Sequence, residues 1–252
     1  MIRVAIVGRG RVGGALATNL THCDDLDVAT PVGRDAAIKN IARAADMVLL
    51  AVNDGAVHEV AESITPNDDA LFVHFAGSLT LDALAPHRRR ASLHPLTPMP
   101  GDPEIAAQRL RGAWMATAGD AGVNTLAEAL HARTFVVDES HRARYHATAT
   151  IAASHVAGLM GQVARNADAV GVPFAAYLDL SRSTLANVEA LGAAEALTGP
   201  IVRGDWNTVR AHLAAIAPDD RATYVALATE AARLAGTQLP SDLSVSIDEV
   251  GW

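Results

Sequence analysis

The hydrophobic pattern divides the chain into two unlike stretches. Residues 1–8 form a nearly continuous apolar run, with Ile2, Val4, Ala5, Ile6 and Val7 closed by Gly8. Such a run predicts a strand covered on both faces, as in a parallel sheet. Residues 12–21 then place Val12, Leu16 and Leu20 on one helical face. Further strands are predicted over residues 26–32, 47–52, 71–75 and 91–93, with helical stretches between them such as residues 56–64. Residues 114–117 and 134–137 add strands at the far edge. Strands alternating with helices predict βαβ units and a parallel sheet wound on both faces.

The strand signal stops after Asp138. Residues 139–170 read as one long helix, closed by Gly171 and Pro173. Helices follow over residues 175–191, 206–216 and 221–234. The expected architecture is α/β: a doubly wound parallel-sheet domain over residues 1–138, then a mostly α-helical domain over residues 139–252.

Composition narrows the function classes. Half of the 252 residues are hydrophobic and 19% are charged, which permits a sizeable core and excludes a disordered chain. A net charge of −8 argues against nucleic-acid binding, which needs a basic face. The one dense basic stretch, Pro86-His87-Arg88-Arg89-Arg90, reads as a solvated loop entering a strand. No apolar run reaches the ~20 residues a membrane helix needs. The nearest, residues 147–164, is interrupted by Ser154, His155 and Gln162. Cys23 is the only cysteine, so no internal disulfide forms, which fits a reducing cytoplasm. The opening residues read as a buried strand and not as a signal peptide. Lys39 is the only lysine, so a lysine acid or base has a single candidate.

Gly8-Arg9-Gly10-Arg11-Val12-Gly13 is a G-x-G-x-x-G that follows a strand and opens a helix. The first glycine suits a tight turn, the second lets backbone approach a pyrophosphate, and the third lets helix and strand pack closely. The helix N-terminus then offers free N–H groups and partial positive charge to phosphates. This is the dinucleotide-binding Rossmann pattern, and it assigns Gly8, Gly10, Arg11, Val12 and Gly13 to the cofactor. At the end of the second strand, Arg34 suits a 2′-phosphate and favours NADP. Its neighbour Asp35, after a one-residue shift, would read the ribose of NAD instead.

Ligands of open α/β sheets lie at the carboxyl ends of the strands. Here those ends carry Asn53-Asp54, Ala76-Gly77-Ser78 and His94-Pro95, with His74 just inside the fourth strand. Asn53 fits a ribose or carboxamide contact, or a turn. Ser78 reads more naturally as a helix cap. His94, before a proline-rich loop, fits a structural or a functional role.

The long helix carries Tyr145, His146, Thr150, Ser154 and His155. At 3.6 residues per turn His146 and Thr150 lie about 40° apart and share a face with Ser154, while His155 lies nearly opposite. His146 is the candidate proton donor for a carbonyl reduction, because imidazole titrates near neutrality. A hydrogen-bonded core histidine is its alternative. Asn187 is a candidate for orienting substrate, or a helix-surface amide. Metal binding finds no support: the histidines are scattered and there is no cysteine cluster. There is no G-x-S-x-G elbow for nucleophilic catalysis.

Several segments together resemble one bacterial family. They are Tyr145-His146-Ala147, Asn187 with Gly192, Leu197-Thr198-Gly199-Pro200-Ile201, Arg203-Gly204-Asp205 and His212, joined by His94-Pro95-Leu96 and Gly77-Ser78. The family consists of Rossmann-like oxidoreductases with a C-terminal helical domain of unknown function. It is similar to pyrroline-5-carboxylate reductase, the deazaflavin-dependent NADP reductases and the 6-phosphogluconate dehydrogenase-like enzymes, and includes an alternative ketopantoate reductase. The resemblance implies an NADP-linked Rossmann domain, a helical C-terminal domain and a homodimer acting on a small-molecule substrate. Two departures stand out. The family often has asparagine where this chain has His155. The C-terminal domain also lacks the lysine that ordinary ketopantoate reductases use, so histidine or water must supply the proton.

From the residues themselves, Asp205 is expected to cap the helix beginning at Trp206, with Arg203 either in that turn or on a substrate carboxylate. The overall expectation is NADPH-dependent reduction of a small carbonyl or imine compound, a 2-oxo acid such as ketopantoate being the sharper form. The rival is a non-catalytic NADP-binding sensor or scaffold.

Overall fold

The structure is a computed structural model that describes residues 1–33 and 36–243. Its contacts divide the chain into two compact units, Met1–Ala153 and Ser154–Trp252.

The first unit is built on a seven-stranded sheet. Its strands are β1 (Ile2–Val7), β2 (Leu26–Val28), β3 (Met47–Leu50), β4 (Leu71–His74), β5 (Arg89–Pro95), β6 (Trp114–Gly119) and β7 (Arg133–Val136). Their order across the sheet is β2-β1-β3-β4-β5-β6-β7. Every neighbouring pair is parallel except β5 and β6. The helices are α1 (Arg11–Leu20), α2 (Val57–Ser63), α3 (Pro103–Leu110), α4 (Asn124–Ala129) and α5 (Arg142–Thr150).

Alternation along the central strands feeds two cores, one on each face. Val4, Ile6, Met47, Leu49, Leu71 and Val73 join Leu16 and Leu20 of α1 and Leu110 of α3. Ala5, Val7, Val48, Leu50 and Phe72 join Val57 and Val60 of α2. Because both faces are covered, the strands read as unbroken apolar runs. Burial of each such leucine or isoleucine stabilises the fold by roughly 1.5–3 kcal/mol. The basic stretch at β5 is spent on local pairs, Arg89 with Asp120 at 2.9 Å and Arg90 with Asp82 at 3.4 Å.

Three expectations need correction at element ends. The second strand stops at Val28, and Val32 makes only an isolated bridge to Val7. The fifth runs from Arg89 to Pro95, longer than expected, because its charged start pairs with β4 at the sheet surface. The long helix is α5, then a π-helical turn, Ile151–His155, then α6 (Val156–Ala169). The compact units divide inside that turn, beyond Asp138, because α5 packs its Tyr145 and His146 on side chains of the sheet.

The second unit is helical: α6, α7 (Phe174–Leu191), α8 (Ala193–Ala196), α9 (Trp206–Ala215) and α10 (Pro218–Leu234). Asp220, the third residue of α10, accepts from Arg165 at 2.6 Å and Asn166 at 2.9 Å, which ties α10 to α6. Asp205 caps α9 as expected, accepting from the Thr208 backbone N–H at 3.2 Å and its hydroxyl at 2.7 Å. No helix among the described residues is long and apolar enough to cross a membrane.

Candidate active site

The glycine loop sits between β1 and α1, and its three glycines stand in two different settings. Gly8 has φ of +121°, and a Cβ there would lie 2.1 Å from the Ala51 carbonyl oxygen. A Cβ on Gly13 would lie 2.0 Å from the Gly8 carbonyl oxygen. Both are packing glycines. Gly10 faces open space, with nothing within 4 Å of where its Cβ would stand. It is also the N-cap of α1 and offers no side chain to the first-turn N–H groups. A bare, open backbone at an uncapped helix start fits a phosphate.

The other predicted cofactor residues are placed as follows. Arg11 Nη1 donates to the Met99 carbonyl at 3.0 Å, which ties the loop to the segment after β5. Val12 packs partly buried against the core, so its part in the loop is backbone only. Asn53 is exposed at the end of β3, where its carbonyl accepts from Ala56 N–H at 2.8 Å. Arg34 and Asp35 lie outside the described residues.

A second cluster forms at the carboxyl ends of β4 and β5. His74 ends β4, and Ser92 stands beside it in register on β5. His94 follows two residues later on the same strand. Over these ends lies the start of α5. Glu139, just before α5, accepts from Leu81 N–H at 2.7 Å and anchors the helix start to the loop after β4. That loop starts a helical turn at Thr80, so Ser78 is exposed and is not its cap.

Within the cluster, His94 Nδ1 and the Tyr145 hydroxyl lie 2.6 Å apart. The His94 and His146 rings meet edge to face at 5.8 Å. Gly77 fits between the two histidines. A Cβ there would lie 2.5 Å from His146 Nδ1 and 2.8 Å from His94 Nε2. Behind this partly exposed front stand three buried side chains, His74, Ser92 and Arg142.

Burial and like charge set the protonation states. His74 is pushed down to about 4 by burial first and by the Arg142 guanidinium second, although the Thr80 backbone carbonyl, facing the ring as an acceptor, works the other way. His94 is likewise lowered to about 4 by burial, then by His146 and Arg142. Burial raises the Tyr145 phenol to about 12, against the pull of Arg142. At neutral pH His74 and His94 are therefore neutral, Tyr145 keeps its proton and Arg142 keeps its positive charge.

The structure thus brings together His146, His94, Gly77 and Tyr145 from the sequence-derived candidates. Asn187 is exposed on α7 of the second unit, and Arg203 is exposed before α9. His155 falls in the π-helical turn, whose wider winding alters the 100° spacing used to orient it. Sequence reasoning missed Arg142. It stands among other polar residues at a helix start, and no spacing signal separates it from a surface arginine. Among the described residues, no three of the histidine, cysteine and acidic side chains come together as a metal-binding set.

Residues 116–231 match the family described as a domain of unknown function, DUF2520. No curated protein matches the sequence. Among solved structures, a Thermotoga maritima protein is similar at 20% identity and a TM-score of 0.68, over 92% of this chain and 98% of that one. A Bacteroides fragilis protein provisionally described as an NADP oxidoreductase is similar at 19% identity and a TM-score of 0.68, over the same 92% and 98%. Pyrroline carboxylate reductase from Plasmodium falciparum, solved with NADP bound, is similar at 12% identity and a TM-score of 0.60, over 93% of this chain and 95% of that one. These neighbours share the expected fold, a mostly parallel sheet followed by a helical region.

Proposed function

We propose that this chain is an NADPH-dependent reductase of a small carbonyl or imine compound. One observation carries the reading. The open glycine loop and the cluster of proton-bearing side chains both stand at the carboxyl ends of strands in one sheet, where such folds bind their ligands.

Gly8, Gly10, Arg11 and Gly13, with the Val12 backbone, hold the pyrophosphate at the start of α1. Arg34 reads the 2′-phosphate, and Asn53 takes a ribose or carboxamide contact. When bound, the reduced nicotinamide supplies a hydride to the substrate carbon, leaving negative charge on its oxygen or nitrogen. His146 delivers the proton to that atom, in keeping with its buried, unpartnered Nδ1 beside Gly77. The Tyr145 hydroxyl and His94 Nδ1 share a hydrogen bond, and with the hydroxyl as its donor the His94 proton sits on Nε2, facing Gly77. Asn187 orients the substrate, for which the expected result in Asn187→Ala is a raised KM with NADPH binding intact. The sharper substrate class is a 2-oxo acid, with ketopantoate one member.

In this reading residues 1–138 bind the dinucleotide and residues 139–252 serve substrate binding and dimerisation. Leu180, Leu185, Val188 and Leu191 are exposed on α7. At 100° per residue they fall within about 140° of one another, an apolar stripe that a second copy would cover. Light scattering checks the homodimer. The lone Cys23 fits a cytoplasmic enzyme.

The test is NADPH oxidation against a panel of 2-oxo acids, aldehydes, ketones and cyclic imines. Turnover should fall ~10²-fold or more in His146→Ala, with NADPH binding kept. NADPH binding without oxidation by any of these compounds would favour a non-catalytic sensor or scaffold instead.

A further inference from the structure

The buried polar atoms left without a hydrogen bond among the described residues are concentrated at one place. All but one belong to His74, Ser92, Arg142 and His146, the exception being His87 Nδ1. Most telling is Arg142. Only 1% of the residue is exposed, and Nε, Nη1 and Nη2 all lack a partner. A guanidinium cannot shed its charge at any ordinary pH, so burying it without an anion is costly and calls for a compensating ligand. The carboxylate whose charge bears on it is Glu139, which already accepts from Leu81 N–H.

We propose that Arg142 receives a carboxylate of the substrate, one carbon away from the centre that is reduced. The inference rests on the reductase reading and gives its site a substrate class: 2-oxo acids and cyclic imino acids carrying a single negative charge next to the reacting carbon. Charge balance supports it. With His74 and His94 neutral, neither imidazole competes with Arg142 for an incoming anion, and Glu139, the carboxylate that bears on Arg142, makes no hydrogen bond to its guanidinium. Ser92 Oγ, buried beside His74, also lacks a partner. Access agrees as well. His94, Tyr145 and His146 are the partly exposed members of the cluster and Arg142, His74 and Ser92 the buried ones, so in this proposal the substrate enters from the side of the first three.

The test uses oxamate, a monoanionic analogue of a 2-oxo acid, and oxamide, its neutral counterpart, titrated at constant ionic strength into the full chain with and without saturating NADPH. Thermal shift is the readout. Oxamate should stabilise the NADPH-bound protein and oxamide should not. Arg142→Met and Arg142→Gln should weaken oxamate at least tenfold, while Arg142→Lys keeps part of the response. Ligand-free Arg142→Met should melt no lower than the parent, because an unpaired buried charge has been removed. Equal responses to oxamate and oxamide in the unaltered protein, which need no variant to fold, would overturn the proposal. So would oxamate binding retained in Arg142→Met, or oxamate excluded by NADPH, which would make Arg142 a cofactor contact. Absence of any shift with NADPH would instead sink the reductase reading itself.

Discussion

His94 and Tyr145, 51 residues apart in the chain, are joined by a 2.6 Å hydrogen bond between the imidazole Nδ1 and the phenolic oxygen. The bond fastens the end of β5 to α5, and it fixes which way the His94 ring faces. Tyr145 also packs edge to face on Phe135 of β7, with ring centres 5.9 Å apart. The geometry of the candidate active site therefore depends on a contact between elements that are remote in sequence.

Tyr145→Phe keeps the ring and removes the hydroxyl. A neutral hydrogen bond of this kind contributes about 1 kcal/mol, so a modest drop in melting temperature is expected. Turnover should fall about tenfold or more, because His94 loses the partner that orients it. Melting curves and NADPH oxidation rates measured side by side check this. Full turnover in the variant would remove the Tyr145–His94 pair from the mechanism.

Gly77→Ala places a methyl group 2.5 Å from His146 Nδ1 and 2.8 Å from His94 Nε2. Both imidazoles must move. The expected outcome is a loss of turnover of ~10²-fold with NADPH affinity unchanged, since misplaced catalytic groups lower rates steeply. Parallel loss of NADPH binding would mean that the damage spreads to the whole sheet edge.

The glycine loop yields a contrast within one motif. Gly8→Ala and Gly13→Ala drive a methyl into backbone and should destabilise the fold by about 1–3 kcal/mol or more. Gly10→Ala meets open space, so stability should change by less than about 1 kcal/mol. Its methyl nevertheless stands where a pyrophosphate would approach, and NADPH affinity should fall tenfold or more. Denaturation and NADPH titration of the three variants separate the two effects.

Two histidines of the cluster make the fold sensitive to acid. His74 and His94 are lowered from 6.5 to about 4 in the folded chain. Between those values the unfolded chain binds protons that the folded chain does not. Stability therefore rises with pH through this window and is lost as pH falls from 6.5 towards 4. Each histidine accounts for a loss on the order of 3 kcal/mol once acidification is complete. Melting temperature should be level from pH 8 to 7 and decline below 6.5. His94→Gln should flatten the decline, and an unchanged slope in that variant would assign the acid sensitivity elsewhere.

The sequence alone determined the sheet, the glycine loop and the helical second half. Each rests on local pattern: apolar runs such as Met47–Leu50, glycines spaced in a turn, and a 3.6-residue period. His146 and His94 were also legible, because imidazoles at strand ends or beside a tyrosine stand out by type. Only the tertiary structure decided that these two histidines, Gly77 and Tyr145 form one cluster, and that Arg142 is buried behind it. The reversal of β6 against β5 and the π-helical break after α5 were likewise invisible in the sequence. An arginine looks the same in sequence whether its charge meets water or protein. Burial is a property of what other segments place around a side chain, and those contacts span distances along the chain that local pattern does not record.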